Sequence, residues 1–176
     1  MKKVDVIINS HLNTGIGPVQ TVKRIRKNCA FFKENGYDIH IISADDFSDT
    51  IAGDIRKHRT PLVKRIQRFL GYLRTHSRLY GLIRANLALK SGAKMATNYN
   101  GLNRNADILV FHDIFICYAY LKNYKKANQK ICCFTHSDGF VFEQFVQGFP
   151  KIKGTYFENR LEDIANFVFD NIEAKP

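Results

Sequence analysis

Long apolar runs are missing from this chain of 176 residues. The first one, Val4 to Ile8 behind Met1-Lys2-Lys3, is too short for the apolar region of a secretory signal and far too short to span a bilayer. The expected location is therefore the cytosol. Paired cysteine motifs are also missing: Cys29, Cys117, Cys132 and Cys133 show no CxxC spacing with histidine, so reduced, buried thiols are expected and no metal is implied. No internal repeat or low-complexity linker interrupts the chain, and its size suits one ordinary domain with one continuous core.

The third absence is the most informative, because from Ile55 to Asn105 there is no aspartate or glutamate at all. Twelve lysines and arginines stand in that segment, while the rest of the chain carries 15 basic against 16 acidic residues. The whole net charge of +11 thus originates in one stretch. Leu62, Ile66, Phe69, Leu70 and Leu73, then Tyr80, Ile83 and Leu87, keep an apolar stripe through it, which predicts one long or two shorter amphipathic helices with a break near Thr75–Ser77 or at Gly81. Such a segment can lie on an anionic membrane surface. The plain alternative is that the stripe packs on the protein and the charges form a solvated face.

What surrounds that segment is a βα pattern. Val4–Asn9, Asp38–Ser43, Asp107–Phe111 and Lys130–Thr135 are short, nearly all-apolar runs, as expected of strands covered by helices on both faces. Between the first two, Val19, Val22, Ile25, Cys29 and Phe32 recur at helical spacing, with Pro18 suited to the first turn and Gly36 to the stop. A further helix is expected around Phe115–Lys126. The last stretch, Tyr156–Asn171, reads either as a continuous helix or as one that gives way to a strand at Asn166–Asp170. Strand, helix, strand implies a parallel sheet, and the fold class is α/β: a Rossmann-like three-layer sandwich with a mostly parallel sheet and a basic helical insert at about 55–105.

In open α/β sheets ligands bind beyond the carboxyl ends of the strands, so the loops after each strand are the places to read. After the first strand, Gly15-Ile16-Gly17 opens a helix where bare backbone N–H groups can meet a phosphate. A dinucleotide fingerprint would need a third glycine where Gln20 stands, which argues against that cofactor. Glycines that only shape a turn are the plain alternative. After the third strand come His112 and Asp113, either a base with a carboxylate or an ordinary polar strand end, since adjacent strand residues point to opposite faces. After the fourth come His136 and Asp138 in a short polar loop with Gly139, where His136 is either a functional or a satisfied structural histidine.

Four segments together resemble the N-terminal domain of GT-B glycosyltransferases, chiefly the retaining, nucleotide-sugar-dependent group. They are NTGIGPVQTVKRI from Asn13, FKENGYDIHIIS from Phe32, ADILVFHD from Ala106, and a strand ending in Thr135-His136. The resemblance spans most of the chain except the basic segment. It implies an acceptor-side domain facing a second Rossmann-like domain that holds the nucleotide sugar. It further implies that Gly15 and Gly17 border the donor diphosphate, that His136 approaches the transferred sugar as the catalytic candidate, and that His112, Asp113 and Asp138 line the acceptor side. No cofactor is then expected on this domain alone. The donor substrate would be a nucleotide sugar, and the acceptor a glycan or lipid-linked sugar, with the basic segment as a route to the inner face of the membrane. The family's donor domain, with its paired glutamates, has no counterpart up to Pro176. The expectation is a fragment of a longer protein that transfers no sugar by itself. The competing readings are a basic nucleic-acid-binding module or another Rossmann-like nucleotide-binding module. No zinc spacing, RNP-like run or helix-turn-helix supports the former.

Overall fold

A computed structural model describes residues 1–14, 17–47, 61–135 and 141–172. Its centre is a four-stranded sheet of β1 (Lys2–Ile7), β2 (Tyr37–Ile42), β3 (Ile108–Phe111) and β4 (Lys130–Cys133), ordered β2-β1-β3-β4. All three pairings are parallel. Side chains alternate across it with period two. Val4, Val6 and Ile8 meet Val19 and Val22 of α1 (Gly17–Lys27) on one face. Ile7, Leu109, Phe111 and Ile131 enter the larger core on the other. The three-layer α/β sandwich expected from the sequence is what forms.

The second layer is built from α4 (Arg78–Gly101), α5 (Ile114–Asn123) and α7 (Tyr156–Asn171), with α6 (Val141–Gly148) beside it. The connection from β1 to β2 runs outward through α1 and α2 (Cys29–Glu34). The next connection, from β2 to β3, crosses β1 and returns on the opposite face through α3 (Pro61–His76) and α4. The direction of winding therefore reverses between β1 and β3, and the loops leaving those two strands turn to opposite faces. A crevice opens there.

Local signals set several boundaries. Gly36 takes φ +86° and ends α2, a conformation an L side chain resists. Ser77 separates α3 from α4 because its hydroxyl accepts from the Tyr80 N–H and caps the second helix. The expected single helix from Val19 to Phe32 is two helices broken at Asn28. The last stretch is helix throughout, with Phe157, Leu161, Ile164, Ala165 and Val168 buried at helical spacing, so no strand forms at Asn166–Asp170.

The basic segment is helical, but its core contacts are not the ones its large apolar residues suggested. The face α4 buries is Gly81, Ala85, Gly92, Met95, Ala96 and Tyr99, whereas Ile83 and Leu87 are about half exposed, at 47% and 50%. On α3, Leu62, Ile66, Phe69 and Leu70 are all exposed. Leu79, Ile83 and Leu87 face away, while the small residues share the packed side with Leu82, Leu89, Met95 and Tyr99.

Candidate functional site

The crevice between β1 and β3 holds one cavity, and a second adjoins it between α4 and the loops after β1 and β2. The larger, of about 330 Å³, is lined by Asn9 from the end of β1, Asp113 from the end of β3, Arg84, Leu87 and Ser91 from α4, and the rings of Phe145 and Phe149. The smaller, of about 210 Å³, has His11, Phe47, Lys94 and Asn98 on its walls. Asn9 and Ser91 belong to both. The Asn9 side-chain amide donates to the Ser91 hydroxyl at 2.7 Å, pinning α4 across the carboxyl edge of the sheet.

Each wall has a local cause. Asp113 lies two residues beyond the buried strand end and caps α5, its Oδ1 accepting from the N–H groups of Phe115 (2.7 Å) and Ile116 (3.3 Å). Burial raises its carboxyl above the ordinary value of 3.8, and the two N–H groups oppose that shift without cancelling it. A raised folded-state value means that the stability Asp113 contributes is complete below the unfolded pKa and is lost as pH rises through the folded one. Asp113→Asn keeps the cap and removes the buried charge. We therefore expect it to leave stability at pH 7 unchanged or higher, and to flatten the decline above about pH 4, where an unperturbed carboxyl titrates. Urea denaturation across that range measures both effects. A large loss of stability at pH 7 would contradict this reading.

Sequence reasoning missed a second pair. His11 Nδ1 lies 2.6 Å from Asp45 Oδ1, and the Leu12 N–H donates to Asp45 Oδ2 at 2.8 Å, so the loops after β1 and β2 are tied together. Donation from Leu12 is the largest influence on the Asp45 carboxyl, and with His11 it outweighs desolvation and holds that carboxyl below the ordinary range. Asp45 therefore supports the folded state above the unfolded carboxylate pKa and loses that contribution as pH falls through the lower, folded one. The residues lie 34 apart in sequence, and only the parallel pairing of β1 with β2 brings them together.

The residues singled out from the sequence separate into four groups. Asp113 lines the larger cavity. His112 is buried at 5% exposure and stacks on Phe134, with ring centroids 5.5 Å apart, and is not among the cavity walls. Gly17 starts α1, and a Cβ added there would meet nothing within 4 Å, so packing does not require a glycine at that point. Gly15, His136 and Asp138 lie outside the described residues. Arg84, Ser91 and Lys94 were hidden inside the basic segment, where charge alone drew attention and position on the helix did not.

Chemically, the larger cavity pairs two aromatic rings and a leucine with an amide, a hydroxyl, a carboxylate and a guanidinium. More of its exposed lining is polar than apolar, so it offers convergent polar groups beside two aromatic rings and not the predominantly hydrophobic pocket usual for drug-like ligands. Among the described residues no cluster of three or more histidine, cysteine, aspartate or glutamate side chains is placed to hold a metal. Nor is any helix among them long and apolar enough to cross a membrane. Comparisons of the chain with protein-family models, with curated proteins and with solved structures find no match.

Proposed function

We propose that this chain is the acceptor-binding half of a glycosyltransferase of the GT-B type, which moves a sugar from a nucleotide sugar to a glycan or lipid-linked acceptor. The observation that carries this reading is the crevice at the β1/β3 switch point, with Asn9, Ser91, Arg84 and Asp113 converging above Phe145 and Phe149. A sugar ring has an apolar face and a rim of hydroxyls. The aromatic floor suits the first, and side chains that both donate and accept suit the second. The open space around the start of α1 at Gly17 lets a donor diphosphate approach the backbone. No step of transfer is assigned to the described residues: their part is to bind and orient the acceptor.

Ligand-observed NMR of the full chain against a panel of mono- and disaccharides tests the reading. The expected result is selective binding of one or a few saccharides with Kd on the order of 1 mM, worth about 4 kcal/mol. Asn9→Ala and Arg84→Ala should each weaken it about tenfold, the loss of one useful polar contact. Binding of no saccharide, or binding indifferent to both substitutions, would overturn it. Tight binding of a free nucleotide with no saccharide would favour another nucleotide-binding module instead.

A further inference from the structure

Among the described residues, eight of the fifteen exposed large hydrophobic side chains fall between Leu62 and Leu87. On α4, Leu79, Ile83 and Leu87 recur every fourth residue, so they share one face, and the buried Gly81, Ala85 and Gly92 lie on the face opposite. On α3, Leu62, Ile66, Phe69 and Leu70 share a face in the same way. On α4 Leu79, Ile83 and Leu87 look away from the core while Leu82 and Leu89 pack against it, and on α3 nearly every described side chain is exposed, so two aliphatic stripes are left in water. Arg65 flanks the α3 stripe, and Arg68 and Arg78 are exposed further round their helices, in a stretch with no acidic residue from Ile55 to Asn105.

The two helices also lead to the cavity. Leu87 ends the α4 stripe and lines the larger cavity, with Arg84 beside it. The end of α3 is fixed there too: Arg74 Nε donates to the Gly148 carbonyl at 2.8 Å, and its guanidinium sits 5.3 Å over the Phe149 ring that floors the same cavity.

We infer that the exposed face of α3 and α4 docks on an anionic lipid bilayer, with Leu, Ile and Phe entering the interface, arginines meeting head groups, and the cavity mouth held at the membrane surface. Charge selects this occupant. A second copy would bring two acid-free cationic faces together, and a nucleic acid would take the arginines while leaving the aliphatic stripe in water. Only an anionic interface satisfies both sets of side chains. Where this rests on the acceptor reading, the acceptor is a lipid-linked one, its head group in the crevice and its tail along Leu87, Ile83 and Leu79.

Flotation of the full chain with vesicles of phosphatidylcholine, alone or mixed with phosphatidylglycerol, tests the docking without reference to sugars. The chain should float with the mixed vesicles, bind the neutral ones far less, and be released at about 1 M salt, where charges are screened beyond about 3 Å. Arg65→Ala/Arg68→Ala/Arg78→Ala should lower partition on the order of a hundredfold, about fivefold per basic residue. Leu79→Ser/Ile83→Ser should lower it at least about tenfold. Both variants alter exposed positions outside the cavity and should keep the wild-type circular dichroism and saccharide binding. No binding to mixed vesicles, or binding equal in both variants, overturns the proposal. So does a dimer dissociated by Leu79→Ser/Ile83→Ser, or an oligonucleotide bound in preference to the vesicles. Vesicle binding without any saccharide binding would instead sink the acceptor reading and leave the docking intact.

Discussion

Arg104→Ala is expected to lower stability by about 3 kcal/mol, the lower end of the range for breaking a buried ion pair. Asp5 stands in the middle of β1 with no exposed surface, on the face that looks toward α4. Its Oδ2 accepts from the Tyr99 hydroxyl at 2.9 Å and from Arg104 Nε at 2.8 Å, and its Oδ1 accepts from Arg104 Nη2 at 3.1 Å. Burial, with the adjacent Asp5 charge, pushes the Tyr99 phenol up, so it stays protonated and donates. Without the guanidinium the carboxylate would keep one neutral donor inside the core. The Arg104 side chain is 33% exposed, so water can enter the space it leaves, and this places the cost at the low end. Arg104→Lys should recover part of the loss, because a point charge replaces the two-pronged contact incompletely. The midpoint of urea unfolding reads both. A change below about 1 kcal/mol, the value of a surface pair, would contradict the account.

Gly92→Ala should cost about 2 kcal/mol although alanine is the better helix former. A Cβ at Gly92 would lie 2.7 Å from both the carbonyl carbon and the Cβ of Phe115, and 2.9 Å from the Ile116 nitrogen. These atoms belong to the first turn of α5, so the helices must separate. Overpacking of this kind costs about 1–3 kcal/mol, against a propensity gain of up to about 1 kcal/mol. The same change at Gly71 on α3, where nothing lies within 4 Å, keeps only the gain and should stabilise that helix by up to about 1 kcal/mol. Opposite signs for one chemical substitution are the expected result. Equal signs would mean that α4 does not approach α5 as described.

These two sites explain how α4 is positioned. Tyr99 and Arg104 fix its end to the centre of the sheet, Gly92 lets it come close to α5, and Ser91 then reaches Asn9 across the crevice. Arg84 and Lys94 reach the two cavities as a consequence.

The strands were legible in the sequence because their apolar runs are short and bounded, as was the stop at Gly36, whereas the break between α3 and α4 had two candidate places and the Ser77 cap on the Tyr80 N–H decides it. The orientation of α4 was not legible. Periodicity weighs residues by hydrophobicity, and here α4 fully buries Gly81, Ala85, Gly92 and Ala96 with Met95 and Tyr99, while Leu79, Ile83 and Leu87 point outward. His11 and Asp45 carried no local signal, because their pairing depends on the register of β1 with β2. Asn166–Asp170 was ambiguous because five residues fit either period, and burial of Val168 alongside Leu161 and Ile164 decides for helix.

Amide chemical-shift mapping on the isotope-labelled chain, titrated with the saccharide that binds best, tests the central claim most directly. Perturbations concentrated at Asn9, Ser91, Asp113 and Phe149 are predicted, since those residues from four separate segments meet only in the crevice. Perturbations centred on α2, on the exposed face of α7 or on the outer edge of β4, with those four unmoved, would contradict it.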